Sequence, residues 1–239
     1  MSGAFPTTAW SMIEDVKGRQ PAERLAAMNR FIVGYWRPIY RFVRARGHRH
    51  DTAEDMTQEF LLKFLDRDWL AKADASRGRF RNYLLAILKR FLADESSVRA
   101  PRQKAFDQGL VQVSALARDE EGTLDPPHKE QPEDVFMRHW AQALVEEVRG
   151  ELEAWCRQRG RPDWCEIFTA HHFPAAGREG LSQQALAERF RSSRDQIRYA
   201  LEQTNQEFAR LFRAAVAGQV ACDAEIDAEI RDIERLLGG

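Results

Sequence analysis

The fold is decided by one stretch, Arg79-Phe-Arg-Asn-Tyr-Leu-Leu-Ala-Ile-Leu-Lys-Arg-Phe-Leu92. Phe80, Tyr83, Leu84, Ile87, Leu88, Phe91 and Leu92 recur in it at i, i+3, i+4, i+7, i+8, i+11 and i+12. This spacing gathers the large apolar side chains on one wide stripe of a helix, a pattern that a strand of period two does not reproduce. The other face carries Arg81, Asn82, Lys89 and Arg90, groups suited to water or to an anionic partner.

Immediately upstream lies Asp74-Ala-Ser-Arg-Gly-Arg-Phe80, where Gly78 permits unusual backbone angles and Arg77 and Arg79 have the reach to meet phosphate. Cations beside Trp69, Phe80 and Tyr83 suit single-stranded nucleic acid, whose bases stack on rings while the backbone follows the positive charges. Phe80 and Tyr83 also lie on the apolar stripe, so a plain core role fits them equally. Before that comes Ala53-Glu-Asp-Met-Thr-Gln-Glu-Phe-Leu-Leu-Lys-Phe-Leu65, read as a helix that buries Met56, Phe60 and Phe64. Asp55, Gln58, Glu59 and Leu62 line another of its sides, either as a solvated face or as a seat for a partner protein. Pro21 opens a first helix with Leu25, Ile32, Tyr35, Trp36, Ile39, Tyr40 and Val43 on one stripe, and Gly47 stops it. Pro38 is expected to kink that helix or to start a second one.

Charge is distributed unevenly along the chain although the net value is only −1. Sixteen Lys or Arg fall between Arg37 and Lys104, flanking an acidic middle from Asp51 to Asp74. From Asp107 to Asp134 the balance reverses, with eight acids against Arg118 and Lys129. Gly109, Gly122, Pro126, Pro127 and Pro132 interrupt this segment and no period of 3.6 survives across Asp119 to Pro132, so it reads as an inter-domain linker.

Beyond the linker, Phe136, Trp140, Leu144, Val148 and Leu152 mark another amphipathic helix, and a shorter one is expected near Trp164 to Phe173. The segment Gly180-Leu-Ser-Gln-Gln-Ala-Leu-Ala-Glu-Arg-Phe-Arg-Ser-Ser-Arg-Asp-Gln-Ile-Arg-Tyr-Ala-Leu201 then has helix-turn-helix spacing. Ser182 and Ser193 are placed to cap its two helices, and Leu186, Ala187, Phe190, Ile197 and Leu201 face inward where the helices cross. Arg194, Gln196, Arg198 and Tyr199 then project from the start of the second helix, the position from which such motifs read a major groove. A serine-capped helical hairpin without a DNA role has the same spacing. Arg191 and Ser192 occupy the turn where this motif usually has glycine and then an apolar residue, so the backbone there must turn left-handed or be remodelled. At the end, Ile226, Ile230, Ile233 and Leu237 form a stripe amid acids, read as a helix packing on its own domain or contacting a regulatory partner.

Composition sets the outer bounds. At 239 residues, with 44% hydrophobic and 31% charged residues, the chain is that of a folded globular protein with room for one large domain or two small ones. Met1 to Trp10 lacks the features of a signal peptide and no segment approaches a membrane span, so a cytoplasmic protein is expected. Cys156, Cys165 and Cys222 form no C-x-x-C pair and read as free thiols. A metal site from Cys156, Cys165, His171 and His172 matches no zinc spacing, and neither a metal, a cofactor nor an enzymatic role is expected.

Taken in order, the pieces resemble the bacterial RNA polymerase sigma factors of the extracytoplasmic-function (ECF) type. The resemblance rests on Trp36-Arg-Pro-Ile-Tyr-Arg-Phe-Val43, Ala53 to Phe60 and Arg79 to Leu92 for the family's second region, and on Leu181 to Leu201 for its fourth. It covers most of residues 20–105 and 135–217.

It implies an all-α protein of two small helical domains joined by an acidic, Pro- and Gly-containing linker. The implied boundaries are 1–105, a linker at 106–134, a helix-turn-helix domain at 135–217 and a C-terminal helical extension at 218–239. It further implies that Asp55, Gln58, Glu59 and Leu62 dock on the clamp helices of the largest subunit of the polymerase core. Arg77, Arg79, Arg81, Asn82, Lys89 and Arg90 would meet the minus-ten element, as melting duplex and as single strand, and Arg194, Gln196, Arg198 and Tyr199 the minus-thirty-five element. An acidic linker would suit a basic channel that normally takes RNA, and a regulatory protein such as an anti-sigma factor is a further partner of the family.

Ala200 and the pair Asp94-Glu95 depart from the family's basic tendency at those positions. The alternative is a stand-alone helix-turn-helix regulator that uses its N-terminal helices as a sensor or dimerisation domain.

Overall fold

The computed structural model describes residues 21–65, 69, 78–94, 130–174 and 177–238, and among them all regular structure is helical. The segment read as a linker lies outside the described residues as far as residue 129. By packing, the chain divides into two compact units, residues up to 144 together with 215–239, and residues 145–214.

In the first unit, α1 (Pro21–Ala45), α2 (His50–Leu65) and α3 (Phe80–Asp94) bury the stripes their periodicity marks. α1 runs on through Pro38, so it is one helix and no second one starts there. It ends where Gly47, at φ 91°, donates its N–H to the Arg44 carbonyl at 2.9 Å. That is the left-handed stop a glycine takes at no steric cost. Phe31, Phe64 and Phe80 converge from the three helices: Phe31 stacks on Phe64 at 5.1 Å, and Phe80 meets both rings edge-on at 6.1 Å. All three are almost wholly buried. Each fully buried ring contributes on the order of 1.5–3 kcal/mol from removal of apolar surface from water. Met56, expected in the core, is only half-buried, and the inward position beside it is filled by Thr57, whose hydroxyl donates to the Ala53 carbonyl at 2.6 Å.

α4 (Pro132–Gln158) opens on a proline, whose missing N–H has no partner to lose in a first turn, with Glu133 and Asp134 beside it. Its first half packs in the first unit, where Phe136 lies edge-on to Phe42 at 6.3 Å. The C-terminal segment also belongs to this unit. After a short 3-10 turn at Asp223–Glu225, α8 (Ile226–Leu237) turns Ile226, Glu229 and Ile233 inward. Glu229 sits among the isoleucines of α8, and the cations that neutralise it, Arg79 and Arg81, belong to the same unit.

The second unit contains the remainder of α4, then α5 (Pro162–His172), α6 (Gln183–Phe190) and most of α7 (Arg194–Ala217). Val148, Leu152, Trp164, Ile167, Phe168, Leu186, Ile197 and Leu201 form its core. Gly180 lets two segments close against each other, because a Cβ there would collide with the His171 carbonyl oxygen. The amide of the next residue, Leu181, donates to the Ala170 carbonyl at 2.9 Å.

Candidate functional site

Three surfaces carry the residues singled out by sequence. On α2, Asp55 is exposed and Gln58, Glu59 and Leu62 are half-buried on the side away from Phe60 and Phe64. Glu59 pairs with Lys63 one turn on at 2.8 Å, and Gln58 donates to Glu54 at 3.3 Å. Solvent-exposed pairs of this kind contribute only about 0.3–0.5 kcal/mol, so both side chains are cheaply re-aimed toward a partner. The face carries the carboxylates of Asp55 and Glu59, with Leu62 between Gln58 and Glu59 around the helix.

On α3 the expected basic face is largely satisfied from within the chain. Arg81, read as exposed, is 5% exposed and stacks its guanidinium over the Trp140 ring at 4.5 Å. Arg81 Nη1 pairs with Glu229, which has no exposed surface, and Nη2 lies 3.9 Å from Asp232. Arg79 pairs through Nε with Glu229 at 2.9 Å and donates Nη1 to Asp232 at 2.5 Å. Burial, and then the neighbouring Arg79, bring the Arg81 guanidinium down to about 10, with Asp232 opposing. Asp232 is held below the usual carboxylate range, first by its hydrogen bond from Arg79. Lys89 pairs with Glu133 of α4 at 2.7 Å, and this contact lowers the Glu133 pKa. Asn82 and Arg90 are exposed, and Arg77 lies outside the described residues.

The rings expected to stack on bases are committed to the fold. Phe80 is core, and Tyr83 donates its hydroxyl to the Trp69 carbonyl at 2.7 Å. Trp69 packs against Phe60 and Phe91 at 6.0 and 6.4 Å.

In the second unit α6 and α7 are joined by the three residues 191–193. The Ser182 hydroxyl accepts from the Ala185 amide at 3.2 Å and so caps α6. Arg191 adopts φ 50° and ψ 43°, the left-handed alternative foreseen for a non-glycine turn. The next helix opens with a reciprocal capping box: the Gln196 amide donates to the Ser193 hydroxyl at 3.2 Å, and the Ser193 amide to Gln196 Oε1 at 2.8 Å. Gln196 thus holds the helix start. Arg194 reaches back to Gln184 of α6 at 2.6 Å, and Arg198 pairs with Asp195 at 2.9 Å, both on the surface. Tyr199 is 54% exposed, its ring edge-on to Trp164 at 5.7 Å. Arg194, Arg198 and Tyr199 therefore stand together on the exposed first turns of a helix whose other side, Ile197 and Ala200, is buried.

Among the described residues no three His, Cys, Asp or Glu side chains gather as metal ligands. His171 shares a hydrogen with the Leu181 carbonyl at 2.7 Å and His172 bonds Asn205 at 2.8 Å. Burial, with Cys165 beside it, pushes the Cys156 thiol up to about 12, which keeps it protonated and unreactive. No described helix is long and apolar enough to cross a membrane.

Sequence reasoning missed Glu133, Glu229 and Asp232, the carboxylates that hold the basic face. One signal was present: Glu229 falls three residues after Ile226 and four before Ile233, on the apolar stripe, where an acid requires a buried cation. No protein-family model, no curated protein and no solved structure matches the chain.

Proposed function

We propose that the chain is a sigma factor of the ECF type, which binds the RNA polymerase core and directs promoter recognition, DNA melting and transcription initiation. The observation that carries this reading is the second unit's α6, its three-residue turn and the serine-capped α7, with Arg194, Arg198 and Tyr199 on the exposed first turns of that helix. The arrangement supports reading this pair as a helix-turn-helix whose second helix enters a major groove, arginine being the usual reader of guanine there. The acidic face of α2 supports a protein partner in addition to DNA, with Asp55, Gln58, Glu59 and Leu62 as the docking residues for the polymerase clamp helices.

The charge of the chain fits a factor that acts inside a complex. A free duplex binder draws on counterion release and is usually strongly basic, whereas this chain has a pI of about 6.6. Sharing the DNA with a larger enzyme removes that requirement. Promoter opening unstacks bases at a few kcal/mol each and needs no nucleotide hydrolysis by this chain.

One observation favours the alternative of a stand-alone regulator: Arg79, Arg81 and Lys89 are all paired internally, as in an N-terminal unit that does not touch DNA. Co-purification with sigma-free core polymerase separates the two. The sigma reading predicts a one-to-one complex with core and weak binding to free duplex; the regulator predicts tight duplex binding and no complex. Replacing Asp55 and Glu59 together by alanine is expected to weaken the core complex at least tenfold with helical content unchanged. An unaltered affinity would remove α2 from the docking surface.

A further inference from the structure

α8 has features of a ligand built into the chain. It presents carboxylates to the arginines at the start of α3, and Glu229 is completely buried while bridging Arg79 and Arg81. Asp232 grips Arg79 from the next turn, at 2.5 Å, and is itself held by Arg235 at 3.0 Å. Two carboxylates around paired guanidiniums supply the negative charge and acceptor oxygens that a phosphodiester backbone would offer, and arginine binds both by the same forked donors. The segment 223–239 as a whole carries six acids against Arg231 and Arg235, a net −4, so it would repel a nucleic acid approaching that face.

On the reading that Arg79 and Arg81 serve promoter DNA, we propose that α8 is an autoinhibitory helix whose Glu229 and Asp232 occupy those arginines in place of DNA phosphates. DNA held by the polymerase would displace it. The free protein then has little affinity for nucleic acid at this face, and promiscuous binding to non-promoter DNA is suppressed until the chain is seated on its partner. A second internal pair, Lys89 with Glu133, has the same sense.

The test compares the full chain, a chain ending at Cys222, and full-chain Asp232→Asn, each titrated with a fluorescein-labelled single-stranded DNA of random sequence. Uncovering two phosphate contacts adds about 1.4 to the slope of log affinity against log salt, and one contact adds about 0.7. Truncation is therefore expected to tighten binding at least tenfold at 0.1 M salt, and Asp232→Asn about fivefold. Replacing Arg79 by alanine in the truncated chain is expected to reverse most of the gain.

Should the truncated chain lose its cooperative unfolding, Asp232→Asn alone decides, because its site is partly exposed and its packing unchanged. Unchanged DNA affinity in Asp232→Asn, or weaker binding by a folded truncated chain, overturns the proposal. If those results come with retained core-polymerase binding, the autoinhibition fails and the sigma reading stands. If no variant binds core, the sigma reading itself has failed.

Discussion

Glu229→Gln is the perturbation whose consequence the structure defines most closely. The carboxylate has no exposed surface and neutralises Arg79 Nε at 2.9 Å and Arg81 Nη1. Glutamine keeps the volume and removes the charge. Arg81, 5% exposed, is left with the Trp140 face and an Asp232 oxygen at 3.9 Å. At an effective dielectric of about 20, a unit charge pair near 4 Å is worth about 4 kcal/mol, and breaking one side of a buried pair costs about 3–5 kcal/mol because the other charge stays buried. Urea unfolding followed by far-UV circular dichroism should show that loss in the transition containing the first unit. Heating should show a midpoint lower by about 10 °C, at 2–4 °C per kcal/mol for a body of this size. Replacing Arg81 and Glu229 together by methionine should restore stability to within about 1 kcal/mol of wild type, since an apolar pair has no desolvation to offset. A Glu229→Gln variant within 1 kcal/mol of wild type would refute the reasoning, and so would a double variant as weak as the single one.

Other outcomes follow from the second unit. Ser193→Ala removes one half of the capping box with Gln196 and should cost about 1 kcal/mol in chemical denaturation. Gly180→Ala forces a methyl onto the His171 carbonyl and should cost about 1–3 kcal/mol, with loss of amide-exchange protection at Leu181. Glu151 is raised to about 7, first by burial and then by Glu147, with Arg210 opposing. The folded state therefore holds a proton that the unfolded state releases near pH 4.5, and stability falls as pH rises from there to about 7. Glu151→Gln should remove that decline, a gain of about 1 kcal/mol at pH 8 once solvent screening of a partly exposed group is allowed for. A stability profile between pH 5 and 8 identical to wild type would contradict it.

Local information is what the sequence carried best. The helix at 80–94 was legible because its seven apolar positions repeat at 3.6, and the caps at Ser182 and Ser193 because capping depends on neighbours three residues away. The left-handed turn at Arg191 was legible for the same reason, as one of the two conformations open to a short inter-helix turn. Arg81 was misplaced on the polar face because its partner is Glu229, far along the chain, and no local period reports such a pair. Between the base-stacking and core readings open to Tyr83, the sequence does not choose, because the Tyr83 hydroxyl contact to the Trp69 carbonyl joins residues 14 apart that no local period relates. Pro38 starts no second helix because its neighbours Tyr35, Ile39 and Phe42 are buried, and tertiary packing carries the helix through it.

The proposed sigma role requires that this chain confer promoter selectivity on RNA polymerase. The direct measurement adds the pure protein to sigma-free core polymerase with a fragmented genomic library as template and maps RNA 5′ ends by sequencing. A sigma factor is expected to give discrete start sites that depend on the protein, preceded at fixed spacing by two shared sequence elements, with Arg194→Ala and Arg198→Ala depleting starts that depend on the upstream element. Core that initiates nowhere above its own background in the presence of folded protein would contradict it.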